Sequence, residues 1–408
     1  KNNLIAIGDS ALYNNGTGAS TSIDGMGHTA VGSKVLYNNT TGYYNTAYGN
    51  NVLFANTTGY SNTASGYNSM LSNTTGNLNS AYGAYSLRAN TTGVRNAGNG
   101  NAALFSNTTG SYNTAMGSNT LVSNTTGNSN VAVGIYSLFQ NSTGSNLIAV
   151  GDSAMYNNLV NNNMAIGSKA LFNNTYSERN TAIGYNAMFS QSFSNSNVSY
   201  ASDNVAVGYR ALYSNNPTNA TNGNKNLAFG NFAAYRNTYG QINIAIGDSA
   251  LYSNDSLSRN IAIGYRALKN YRNTNSITKV ANTFNIAIGN DAMYNATRTN
   301  LTQSGTNNIA IGNASLANNN VPRRVVAIGD SAAYYQTYEV VAIGYKAGMA
   351  RGDQSVYVGQ EVNGGNYTVG VGFNALKTNT GSSNVGIGIN SFGNIVNNNY
   401  NTGLGANT

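Results

Sequence analysis

Residues 45–61 read NTAYGNNVLFANTTGYS, and the next seventeen, 62–78, read NTASGYNSMLSNTTGNL in the same phase. The pattern continues without a gap through NSAYGAYSLRANTTGVR, NAGNGNAALFSNTTGSY, NTAMGSNTLVSNTTGNS and NVAVGIYSLFQNSTGSN, ending at residue 146. Six copies in one phase mark a repeat architecture, in which each unit stacks on its neighbours because none can bury its own apolar surface alone.

The glycine of the A-x-G signature sets the register. It recurs every 17 residues from Gly32 to Gly151 and continues, at variable spacing, to Gly405. Between Gly184 and Gly312 four intervals lengthen to 24, 22, 25 and 23 residues, and beyond Gly329 they shorten to between 13 and 17. The reading is one continuous array over 1–408: regular coils in 1–184, enlarged loops in 185–312 and short coils in 313–408. Each coil opens on a strand of the form bulky-small-bulky, such as Ile244-Ala245-Ile246 or Val326-Ala327-Ile328. Alternation of period two places the bulky pair on one face and the alanine on the other.

After the glycine comes Ala-Leu-Tyr or a variant, as at Ala250-Leu251-Tyr252. This segment reads as a second strand in preference to a single helical turn, with Leu or Met closing the coil's core. Asn-Thr-Thr-Gly then returns the chain, Asn and Gly supplying turn geometry. Sixteen coils carry Asn four residues before the glycine, among them Asn45, Asn62, Asn113, Asn180, Asn260 and Asn308. Identical amides one strand spacing apart can hydrogen-bond along the stack as a ladder. The fold class expected is therefore all-β: an elongated parallel β-solenoid of about 23 short coils, roughly 110 Å long at one strand spacing per coil.

One thin coil cannot bury both the Leu row and the Ile/Val row. With Leu and Ala inside, the bulky strand residues form an apolar stripe larger than a soluble monomer ordinarily exposes. A closed cyclic oligomer covers such a stripe with one repeated surface. The expectation is a closed cyclic homo-oligomer with Ile7, Val133, Ile166, Ile246, Ile263 and Ile288 facing the shared axis. Threonines at the equivalent place, such as Thr46, Thr63 and Thr114, weaken the stripe locally.

The units NLIAIGDSALYNN, NIAIGDSALYSN and NIAIGYRALKN resemble the YadA-like head repeats of trimeric autotransporter adhesins, and similar units occur in bacteriophage tail fibres. The resemblance covers essentially the whole chain. It implies a left-handed parallel β-roll, three chains side by side, and a role in attachment outside the cell, on a bacterial surface or a virion. The 17-residue coil is longer than the family's usual one by about three residues, and neither a neck, a coiled-coil stalk nor a membrane-anchor segment is visible.

Only 8% of the residues are charged, and the net charge of +8 is spread thinly. Residues 151–312 hold eleven basic and six acidic residues, the largest share of the excess. Scattered solubilising charge explains this better than a nucleic-acid stripe. No run is long and apolar enough for a membrane span, so no membrane insertion is expected of this segment. Both ends read as cuts through a longer array.

Catalysis is hard to build here. With no Cys and the single histidine His28, neither a metal cluster nor a nucleophile pair can be assembled, and no metal or cofactor is expected. His28 takes the place of a ladder Asn. Asp9, Asp152, Asp248 and Asp330 follow the register glycine in non-consecutive coils, which suits turn capping better than calcium. Arg351-Gly352-Asp353 spells an integrin-binding tripeptide inside an ordinary return loop. The sequons at Asn56, Asn73, Asn90, Asn107 and Asn124 arise from the repeat itself. The Thr-Thr pairs, from Thr40-Thr41 to Thr125-Thr126, suggest an ice-binding alternative, weakened because neighbours in a glycine turn point different ways.

Enlarged loops at 191–203, 216–225, 270–283 and 295–307 replace the same return turn and should emerge on one edge. They carry Tyr200, Phe284 and a basic-aromatic set, of which Tyr271, Arg272, Lys279 and Arg298 form the expected binding edge. Aromatic stems with a basic rim suit a sugar ring or an acidic polymer. The partners expected are further copies of the chain and a host surface, matrix or glycan; the competing reading is a structural shaft with no ligand.

Overall fold

In the computed structural model, residues 3–193, 195–271, 281–295, 305–319, 322–336, 338–349, 352–393 and 396–408 are described. Among them, 23 strands of three residues each stop at a register glycine, from Ile5–Ile7 to Thr402–Leu404. The molecule is an all-β parallel β-solenoid with almost no helix. It divides into two compact units, Lys1–Ala201 and Ser202–Thr408.

Within each unit, every strand pairs in parallel with that of the next coil, like residue on like. In the first unit Thr46 pairs with Thr63, Ala47 with Ala64 and Tyr48 with Ser65. In the second, Ile244 pairs with Ile261, Ala245 with Ala262 and Ile246 with Ile263. From Ala30 to Ala342 every central alanine of these strands is fully buried and its neighbours are not, as period-two alternation requires; Ala6, in the first coil, is exposed.

The segment after the glycine is neither strand nor helix, contrary to the expectation from sequence. Its second and fourth residues adopt left-handed backbone: Asn51 and Leu53 in one coil (φ 53° and 51°), Ser249 and Leu251 in another (φ 56° and 54°). A third left-handed residue lies five before the glycine, for example Tyr44 (φ 55°). Reversals of φ curl the chain tightly enough to bring Leu53 or Leu251 inside, where each is fully buried. The segment still hydrogen-bonds from coil to coil, Leu53 N–H to Ser69 O at 3.2 Å and Ala55 N–H to Leu71 O at 3.0 Å. Inter-coil bonding thus extends beyond the strands, and the backbone stays satisfied in a coil too narrow for regular sheet. The register glycines themselves have no substitute: at Gly247 (φ 126°) an added Cβ would lie 2.5 Å from Gly264 O.

Two amide ladders complete the core. Asn62 Nδ2 donates to Asn45 Oδ1 at 3.1 Å and to Gly76 O at 2.9 Å, while Asn45 Oδ1 also accepts the backbone N–H of Asn62. The second ladder uses the first residue of Asn-Thr-Thr-Gly. Asn73 Nδ2 donates to Asn56 Oδ1 at 2.7 Å and Asn90 Nδ2 to Asn73 Oδ1 at 2.8 Å, each also bonding the carbonyl of its own turn glycine. These side chains are completely buried. The turn asparagine does more than bend the chain: it is a core residue whose hydrogen bonds are all internal.

Twice a regular coil pairs with the longer coil that follows it through a second short strand, Ser177–Glu178 with Tyr200–Ala201 and Leu257–Ser258 with Ala281–Asn282. Each longer coil thus rejoins the stack just before its register strand.

Candidate assembly face

Within each unit the strands stack in parallel and in register, so the face they share carries four columns of residues. The residue five before the glycine forms the leading edge, the first and third strand residues form two middle columns, and the residue after the glycine forms the trailing edge. In the second unit the middle columns are apolar from Val205 and Val207 through Val385 and Ile387. Phe229, Ile311, Ile328, Ile343 and Ile387 are exposed, Phe229 by 54%. In the first unit, coils between Thr29 and Met116 place Thr, Ser, Tyr or Asn at most of these positions. The stripe is continuous in the second unit and broken in the first.

Each of the six residues expected at a trimer axis lies on the outward side of its own strand, three of them in the first unit and three in the second. Ile7 and Ile166 are exposed, while Val133, Ile246, Ile263 and Ile288 are half-buried by the coils above and below them. Covering such columns with a second apolar surface is worth roughly 25 cal/mol per Å².

The face has one backbone outlier. Ile242, on the leading edge, has φ 57°, and it is the one β-branched residue with positive φ among the described residues. Elsewhere that position holds only glycine or residues unbranched at Cβ, among them Tyr44, Ser61, Asn146, Lys225, Arg259 and Glu339, which bear it at lower cost. Ile242 is 43% exposed and, with Ile244 and Ile261, floors a depression of about 510 Å³ flanked by Lys225 and Arg259.

Beside the face runs a column that the sequence reading missed. The fifth residue after the glycine is usually aromatic, and these rings stack along the coils: Phe139, Tyr156, Phe172 and Phe189 at 4.9, 5.1 and 5.3 Å. Tyr213, Tyr235 and Tyr252 do the same at 5.2 and 5.0 Å. The signal was present in the fixed spacing of Tyr13, Tyr37 and Phe54 from their glycines. Stacked rings occupy one another's faces and offer edges to solvent, so the column stiffens the surface and is no platform for a sugar. Lys269 replaces a ring in one coil, and its ammonium lies 5.9 Å from the centroids of both Tyr252 and Tyr294. Nearby, Arg266 makes a two-pronged ion pair with Asp291 at 2.7 and 2.9 Å.

The expected binding edge does not form around Tyr271. That residue takes the place of the second-ladder Asn and is fully buried. Its hydroxyl donates to Gly305 O and accepts from Asn285 Nδ2 at 2.7 Å. Ring volume and hydroxyl together replace an amide, so Tyr271 serves the core. Arg272, Lys279 and Arg298 lie outside the described residues. Tyr200 is buried as well, bonded through its backbone to Tyr176, whereas Phe284 is exposed on the leading edge under the Arg259 guanidinium.

His28 stands where its sequence position placed it, in the first ladder. It is buried, and burial lowers its pKa below the usual value. Gly352 of the tripeptide is buried and donates to Gln336 Oε1, and Asp353 accepts the Tyr338 N–H, so both serve the return turn; Arg351 lies outside the described residues. In the Thr-Thr pairs from Thr57-Thr58 to Thr125-Thr126 the first hydroxyl is spent inside the stack, as from Thr57 to Thr74 O at 3.1 Å, and only the second threonine is exposed. A flat two-column threonine array is therefore absent from the Thr57-to-Thr126 stretch. Among the described residues no group of three or more His, Cys, Asp or Glu could hold a metal, and no helix is long and apolar enough to cross a membrane.

No family model matches the chain, and no curated protein is significantly similar to it.

Proposed function

We propose that this chain is a non-catalytic extracellular attachment fibre segment that works as a homotrimer. The observation that carries the reading is the uninterrupted apolar face of the second unit. A surface of exposed Ile and Val on a rigid hydrogen-bonded scaffold is a surface built to be covered. Three copies can cover it with one repeated contact, and the covered stack then presents its Asn- and Thr-rich return turns outward, toward a host surface, matrix or glycan. The likeness of the A-I-G-x-x-A-L core to adhesin head repeats supports the same reading.

Light scattering on the purified chain tests the assembly: a trimer mass is expected, and a monomer mass under native conditions would remove the argument. Replacing Ile246 by Asp should break assembly while leaving the coil folded, since the side chain points away from the core. Attachment is tested separately, by binding of the purified trimer to cells, matrix proteins and glycan arrays. A trimer that binds none of them is a structural shaft.

A further inference from the structure

The two edges of the face in the second unit differ in charge. On the leading edge the charged residues are Asp203, Lys225, Arg259, Arg324 and Glu339; on the trailing edge they are Asp248 and Asp330, with no basic residue at all. Both acids stand at heights where the leading edge is basic. Asp248 belongs to the coil of Ile242, between the coils of Lys225 and Arg259, and Asp330 belongs to the coil of Arg324. Lys225, Arg259 and Asp248 are exposed, and none of them makes an ion pair among the described residues.

When copies related by rotation about an axis parallel to the stack bring these faces together, the leading edge of each meets the trailing edge of the next at the same height. An antiparallel pair, related by rotation about the strand direction, sets leading edge against leading edge and so basic against basic. Like charges across an interface repel, whereas opposite charges fix register.

From this we infer that the depression over Ile242 is a docking site for the Asp248 carboxylate of a second copy, held between Lys225 and Arg259, and that this clamp sets the copies parallel and in register. The inference rests on the self-association reading above. Adjacent coils rise by about 4.8 Å, so a carboxylate at the middle level is within reach of both long basic side chains. Ile242 supplies the apolar floor, and its left-handed backbone is the kind of local strain that persists where a contact depends on it. Farther along, Asp330 again stands level with a basic leading-edge residue, Arg324, which is also paired with Glu339 of the next coil at 2.9 Å. Sliding one copy by a single coil sets Asp330 against either Asn307 or Glu339, so only the unslipped register satisfies both acids.

The test uses the full chain in sedimentation velocity at low salt. Asp248→Lys should raise the concentration needed for assembly at least about tenfold. The charge swap Asp248→Lys, Lys225→Asp, Arg259→Asp should recover most of that loss. The chain has no cysteine. Phe284→Cys with Asn290→Cys, on opposite edges of one coil, should therefore give crosslinked oligomers with a short bismaleimide, and Phe284→Cys alone should not. A wild-type chain that is monomeric throughout sinks the self-association reading itself. One that assembles, with Asp248→Lys indistinguishable from it or Phe284→Cys alone crosslinking to itself, overturns the clamp and leaves self-association standing.

Discussion

His28 Nδ1 accepts the backbone N–H of Asn45 at 3.2 Å, and one coil on, Asn45 Oδ1 accepts the N–H of Asn62 at 2.9 Å. The imidazole reproduces the amide on its other side too, because Nε2 lies 3.0 Å from Gly42 O, as Asn45 Nδ2 lies 2.8 Å from Gly59 O. A carbonyl can only accept, so Nε2 carries the proton and Nδ1 must stay bare. A second proton on Nδ1 would point at the Asn45 N–H.

Acid should therefore weaken the coils around His28. Its folded pKa is lowered by burial, so below about pH 6.5, where the unfolded histidine begins to protonate, the unfolded chain binds more protons than the folded one. Stability contributed by this site is complete above that pH and declines as pH falls toward the folded pKa, at up to about 1.4 kcal/mol per pH unit. Thermal unfolding of wild type and His28→Asn between pH 5 and 8 checks this. Equal slopes for the two proteins would contradict it.

Breaking the second ladder should cost more than an ordinary turn substitution. Asn73→Ala removes the donor to Asn56 Oδ1 and to Gly76 O, and the acceptor for Asn90 Nδ2, all in a buried column. Each unsatisfied buried group costs about 1–3 kcal/mol. Hydrogen exchange should show loss of protection concentrated in the coils of Asn56, Asn73 and Asn90, since a stack of repeats responds locally.

The same burial bears on glycosylation. Asn56, Asn73, Asn90, Asn107 and Asn124 are 0% exposed, and each amide nitrogen is engaged. Expression through a eukaryotic secretory route should yield folded molecules bare at these sequons, with glycosylated chains protease-sensitive. Mass spectrometry of the protease-resistant fraction decides it; glycans at these five positions in that fraction would refute the ladder geometry.

Backbone conformation makes the inward leucine selective. Leu53 has φ 51°, and the same position elsewhere holds Met70 (φ 50°) or Met155 (φ 51°). Leu53→Met should be tolerated, while Leu53→Ile, of equal volume, should lose roughly 1–2 kcal/mol because its branched Cβ crowds the left-handed backbone. Conversely, Ile242→Asn should raise the thermal midpoint of the dissociated chain while weakening assembly. Chemical denaturation of the first pair and paired melting and sedimentation of the second read these out.

Repetition made the coil legible. A glycine at fixed phase, an alanine two before it and bulky residues on either side specify a parallel strand by period alone, and the Asn column implied its ladder because identical amides in register have few other partners. The outward direction of the Ile and Val row was legible for the same reason. Sequence could not supply what depends on backbone curl and on neighbours several coils away. The segment after the glycine looks like a strand by composition, yet its residues reverse φ because a coil this narrow must turn inside its own core. Tyr271 reads as a surface aromatic in a long loop; only the closed coil shows it filling the place of a buried amide. Phase and polarity fix which residues share a face. Whether a given side chain is buried there is decided by closure of the coil in three dimensions, because burial is a property of the neighbours that closure brings together.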